Sequence, residues 1–141
     1  MSSEKIKVLF LCRGNACRSQ MAEGWARELA GDIIEPYSAG IAPIGVSSTA
    51  AKVMAAAGVD ISSQRSKCVD EFAGADIDFV ITLCSHDVIC PVFAGEAKVI
   101  HHPFEDPYFA SGTEEEIFAE FARVRDLIKA FVETLPRSLK N

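Results

Sequence analysis

Short apolar runs alternate along the chain with longer segments whose apolar residues recur every three or four positions. Val8-Leu9-Phe10-Leu11, closing a run that starts near Lys5, reads as a buried strand. From Ser19 to about Ala30, Met21, Ala22, Trp25, Ala26 and Leu29 share one helical face, and Gly31 marks the stop. Ile33 to Ser38 reads as a second strand. Ser47 or Ser48 can cap a helix running to Ala57, with Gly58 ending it in the left-handed position. Ile77 to Leu83 predicts a third strand and Ala97 to His101 a short fourth. The last helix carries the clearest signals. Thr113 and Glu116 form a capping box, Ile117, Phe121, Val124, Ile128 and Phe131 follow at helical spacing, and Pro136 closes the pattern.

Strands separated by helical crossovers predict an α/β, three-layer sandwich: a central four-stranded parallel sheet flanked by helices, with right-handed connections and sites at the carboxyl ends of strands. Cys12, Cys84 and the segment from His101 to Pro107 each follow a strand, so all three are expected at that edge. With 141 residues and no Pro/Ser linker, repeat or low-complexity tract, a single domain over residues 1–141 is expected.

Composition narrows the partners. At 49% hydrophobic and 24% charged, the chain is expected to be ordered, and its net charge of −6 argues against nucleic acid, which selects a basic stripe. The apolar run before Cys12 is too short for a secretory core or a membrane span, so a cytoplasmic protein with no membrane partner is expected. Permanent disulfides are then unexpected, and Cys12, Cys17, Cys68, Cys84 and Cys90 call for metal, catalysis or redox cycling. Zinc is poorly supported, because no C-x-x-C pair occurs and His101 and His102 are adjacent. No metal and no cofactor is expected.

The chemistry concentrates in Cys12-Arg13-Gly14-Asn15-Ala16-Cys17-Arg18-Ser19, set between a strand and a helix. Backbone N–H groups of such a loop and the positive end of the following helix converge on one point, which favours a thiolate and a tetrahedral oxyanion alike. Cys12 is the expected nucleophile. The planar fork of Arg18 can hold two oxygens of the anion, as a lysine could not. Gly14 and Asn15 suit positive φ, Arg13 adds a nearby cation, and the Ser19 hydroxyl is placed to donate to Cys12. The competing reading is a buried structural thiol beside an ordinary turn.

This octet, with the following Gln20-Met21-Ala22-Glu23-Gly24 and with Tyr37-Ser38-Ala39-Gly40, resembles the low-molecular-weight tyrosine phosphatases and, more narrowly, the thioredoxin-coupled arsenate reductases of that fold. The likeness continues through Val59-Asp60-Ile61-Ser62, Thr82-Leu83-Cys84, Glu105-Asp106-Pro107 and Phe121-Ala122-Arg123-Val124-Arg125-Asp126, nearly the whole chain. It implies that Cys12 attacks arsenate held by residues 13–19, that Cys84 then attacks the sulfur of Cys12, and that Cys90 receives the disulfide for reduction by thioredoxin. Exchange of this kind needs accessible thiols. Phosphate and sulfate are the implied competitors of arsenate. Gln20 also leans towards the reductases, since the fold's phosphatases usually place Pro there. Asp106 matches the fold's acidic residue, a proton donor to the departing oxygen, with Glu105 its neighbouring rival and a turn-forming Asp-Pro pair the plain alternative. The alternative that the resemblance leaves open is a low-molecular-weight tyrosine phosphatase hydrolysing phosphomonoesters through a phosphocysteine on Cys12 with Asp106 as acid, which needs neither Cys84 nor Cys90; residual phosphatase activity is expected even of a reductase. Cys17 and Cys68 are expected to be structural, and a monomer is expected. Some family members bind potassium through residues matching Asn15, Glu23, Ser38 and an acid where this chain has Lys67; here the ammonium is expected to replace the ion and pair with Glu23.

Overall fold

The computed structural model describes residues 5–72, 75–84 and 98–140. Strands β1 (Ile6–Cys12), β2 (Ile34–Gly40), β3 (Phe79–Thr82) and β4 (Lys98–His101) form the expected parallel sheet in the order β2-β1-β3-β4. The helices are α1 (Arg18–Ala30), α2 (Ser48–Ala56) and α3 (Glu114–Val132). Strict alternation in β1 splits the core. Val8, Phe10 and Cys12 join the larger cluster with Met21, Trp25, Val53, Met54, Val124 and Ile128 from the three helices. Leu9 and Leu11 face the other way, against Val69, Ile77 and Val80, where a 3₁₀ turn (Val69–Phe72) covers the sheet.

The helix boundaries follow local chemistry. Ser47 accepts from Ala50 N and caps α2, which gives way to Gly58 at φ 88°. The Thr113/Glu116 capping box is formed in both directions. Strand ends differ more from expectation. β2 runs on to Gly40 because its register with β1 pairs Cys12 with Gly40, and β3 is shorter than the apolar run Ile77–Leu83 that suggested it.

Sheet order places the site. β1 lies centrally, with β2 on one side and β3 on the other, so the chain leaves β1 at a reversal of strand order, where crevices open at the carboxyl edge. Cys12 is the last residue of β1, Cys84 lies just past β3, and the segment from His102 to Asp106 follows β4.

Candidate active site

Between Cys12 and α1 the backbone turns its carbonyls outward one after another. The oxygens of Cys12, Arg13, Gly14 and Ala16 accept from the amides of Ile41, Ala42, Ile44 and Ser47, and that of Cys17 from Met21 N. The oxygen of Asn15 accepts instead from the side chain of Gln20, at 3.1 Å. Peptide planes whose oxygens all point away present their N–H groups to the inside, which makes the loop an anion nest. Asn15 carries the required kink at φ 47°, the left-handed region that Asn tolerates. A glycine is demanded at position 40, because a Cβ there would lie 2.7 Å from both Arg13 O and Asn15 N.

The sulfur of Cys12 sits 2.9 Å from Ser19 Oγ. The direction of that bond follows from its neighbours. Lys67 N can only donate, and it donates to Asn15 Oδ1 at 2.7 Å, which turns Asn15 Nδ2 toward Ser19 Oγ at 2.8 Å. Ser19 thus accepts from Asn15 and keeps its own proton to donate to the sulfur of Cys12. Cys17 lies five residues on and is buried. Burial, with Asp106 adding to it, pushes its thiol up to about 12 against the partial relief of a bond with Ser47, so it stays protonated.

Arg18 is almost fully buried and is held from two strand ends. Nη1 donates to Leu83 O and Phe104 O, both at 3.1 Å, and Nη2 meets Asp106 Oδ2 at 3.2 Å. Its Nε is buried with no acceptor among the described residues, a deficit costing about 1–3 kcal/mol. Asp106 also fixes its own segment, since its Oδ1 accepts from Tyr108 N. Glu105 turns the other way to Arg123, which leaves Asp106 as the carboxylate beside the nest. A cavity of about 200 Å³ opens here, lined by Cys12, Arg18 and Asp106 with an apolar mouth of Ile44, Tyr108 and Phe109.

Cys84 shares a second pocket with Arg13, Arg18 and Asp106. It is not the exposed thiol that the relay chemistry suggested: only 6% of it is accessible, because Leu83 N pairs with Leu11 O and draws the strand end into the core. Cys90 and His86 lie outside the described residues. Cys68 is half-buried against the Leu9 and Leu11 face.

Behind the loop, Lys67 Nζ stands 3.8 Å from Glu23 Oε1, the expected pairing, and donates to Arg65 O at 2.8 Å. Glu23 also accepts from Ser38 and Arg27. These residues do not fit a potassium ion, since one ammonium and one guanidinium already face the carboxylate. Burial pulls Lys67 below the ordinary lysine value, with Glu23 opposing. Among the described residues no cluster of His, Cys, Asp and Glu is arranged to hold a metal, and no helix is long and apolar enough to cross a membrane.

A strand-loop-helix anion nest with a thiol in its floor and a buried arginine at its side defines a cysteine-dependent oxyanion enzyme fold, and residues 7–141 match the family described as low molecular weight phosphotyrosine protein phosphatase. The chain belongs to that family. Within it, the chain is 47% identical over 132 residues to an arsenate reductase of Bacillus subtilis, covering 90% of this chain and 95% of that one. Among solved structures it is similar to an arsenate reductase in the phosphate binding state (TM-score 0.79, 34% identity, 96% of this chain and 99% of the other). It is also similar to a low molecular weight protein tyrosine phosphatase from T. tengcongensis (TM-score 0.73, 26% identity, 95% and 99%).

The residues of the octet, Cys84 and Asp106 come together as the sequence suggested. Gln20, Gln64 and the backbone of residues 65–67, which hold the loop from behind, were not foreseen in that role. No local pattern in the sequence marks that contact.

Proposed function

We propose that the chain reduces arsenate to arsenite by way of Cys12, Cys84 and Cys90, with thioredoxin restoring the thiols. The outward-facing carbonyls from Cys12 to Cys17 carry the reading, since they leave a nest of amides over a sulfur that accepts from Ser19. Arsenate sits against these amides and Arg18. The Cys12 sulfur bonds to arsenic and one oxygen leaves as water, with Asp106 donating a proton. The Cys84 thiolate then attacks Cys12 Sγ; the As–S bond breaks, its electron pair reduces As(V) to As(III), and arsenite departs. Cys90 attacks Cys84 Sγ, freeing Cys12 and leaving a Cys84–Cys90 disulfide that thioredoxin reduces. One arsenate and two thiols give arsenite, one disulfide and water. Support for the reductase over the phosphatase comes from Cys84, which shares a pocket with Arg18, and from the close relatives named arsenate reductases.

The test follows NADPH oxidation with arsenate, thioredoxin and thioredoxin reductase. Turnover is expected, with loss in each of Cys12→Ser, Cys84→Ser and Cys90→Ser; full turnover without Cys84 or Cys90 rejects the relay. A second reading has a specific feature behind it. Ile44, Tyr108 and Phe109 form an apolar mouth that suits an aryl group, so hydrolysis of aryl phosphates by Cys12 with Asp106 as acid is the alternative. The ratio of kcat/KM for arsenate and for an aryl phosphate, in wild type and in Cys84→Ser, decides between them.

A further inference from the structure

Gln20 holds a place in the loop that no backbone amide fills. Of the six consecutive carbonyls from Cys12 to Cys17, five accept from main-chain N–H groups, and only that of Asn15, the residue with positive φ, relies on a side chain. The Gln20 amide is fully buried. Its Nε2 also donates to Arg65 O at 3.0 Å, and its Oε1 accepts from Gln64 Nε2 at 2.7 Å. The order of donors is fixed at both ends. Two carbonyls can only accept from Gln20, and Arg27 Nη1 can only donate to Gln64 Oε1, so each amide has one workable orientation.

We infer that Gln20 is a positioning residue for the oxyanion nest: it ties the Asn15 peptide to the segment 64–67 and so keeps Asn15 turned toward Ser19 and Ser19 toward Cys12. The same segment touches the loop twice more, through Lys67 N on Asn15 Oδ1 and Ser66 Oγ on Gly14 O. Release of the Asn15 carbonyl frees the kinked peptide to rotate. Rotation would turn an amide out of the nest and remove the donor that commits the Ser19 proton to sulfur. Gln20 itself lines none of the pocket, and it acts on the substrate through the loop.

The inference rests on the proposed role of Cys12, and the experiment separates the two. Alkylation of Cys12 by iodoacetamide is followed across pH by peptide mass mapping, with inorganic phosphate as the protecting ligand, in wild type and Gln20→Met. Wild-type Cys12 should react and phosphate should protect it; failure of either removes the functional reading itself. In folded Gln20→Met, the pH of half-maximal alkylation should rise and protection by phosphate should weaken about tenfold, the scale of one net hydrogen bond. The KM for arsenate should carry most of any loss in kcat/KM. A variant with only a lowered Tm, and with wild-type alkylation and protection, overturns the inference. Should Gln20→Met fail to fold, Gln20→Glu keeps the shape. Its buried carboxyl, while neutral, still offers one O–H donor, so protection should approach wild type at acid pH and fade as it ionises against two carbonyls. Protection that tracks wild type at every pH overturns the inference equally.

Discussion

The two sides of the Cys12–Ser19 loop are built on opposite principles. Behind it, Asn15, Ser19, Gln20 and Ser38 are fully buried, and the direction of their bonds is set from the ends of the network, by Lys67 N, the carbonyls of Asn15 and Arg65, and the Glu23 carboxylate. In front, Arg18 Nε has no acceptor among the described residues, and Ile44, Tyr108 and Phe109 stand largely exposed around the cavity. A saturated network cannot rearrange without leaving a buried group unpaired, so the rear sets geometry. The front holds interaction capacity back for a ligand, which is the preorganisation an oxyanion enzyme needs.

The largest effect should come from breaking the front. Arg18→Lys retains a positive charge but loses the fork that reaches Leu83 O, Phe104 O and Asp106 together. A fall of about 10²–10³-fold in kcat/KM for arsenate is expected, the scale of a removed oxyanion donor. Steady-state kinetics check it, and a loss under tenfold would show that charge alone suffices. Breaking the rear should cost less activity and more stability. Asn15→Ala removes both side-chain bonds and disfavours the left-handed φ, and urea unfolding should register a loss of about 1–3 kcal/mol. Asn15→Gly restores the backbone freedom without the bonds, so the gap between the two variants isolates the conformational part.

This division explains what could be read from the sequence. Helix caps, the strands of the sheet and the front of the site are announced by local patterns: Ser47, the Thr113/Glu116 box, and the apolar run into Cys12 followed by the octet that carries Arg18, although the fork of Arg18 finds its partners on distant segments. The rear depends on residues far apart in sequence. Gln20 meets Arg65 and Gln64 only after β2 and α2 have brought the chain back, and no local pattern announces that contact. The burial of Cys84 is non-local for a related reason. Its position after β3 was legible, whereas its burial follows from the Leu83 to Leu11 pairing with a strand 72 residues earlier.

The contrast can be sharpened inside the loop itself, where the thiol of Cys17 is buried. Folding raises the Cys17 thiol from 9.0 to about 12, so between those values the unfolded chain gives up a proton that the folded chain keeps. Stability should therefore fall as pH climbs above about 9, by up to about 4 kcal/mol if the full shift were traversed. Urea unfolding from pH 7 to 10.5 should show the start of this decline in wild type and a shallower one in Cys17→Ala. Equal slopes would show that Cys17 is not protected by burial.

The smallest effect tests the deepest part of the rear. Lys67 and Arg27 already face the carboxylate of Glu23, so added potassium at constant ionic strength should leave the KM for arsenate and the Tm of the wild type unchanged. Lys67→Glu removes the ammonium and sets a second carboxylate near Glu23, Ser38 Oγ and Asn15. Like charges a few ångströms apart strongly favour a bound cation or a proton. The variant should then gain thermal stability and a lower KM on adding potassium, with sodium less effective. The backbone N–H at position 67 is untouched by the substitution and still reaches Asn15 Oδ1, so kcat should change little. A wild type that responds to potassium as strongly as the variant would mean that the ammonium does not occupy the place assigned to it.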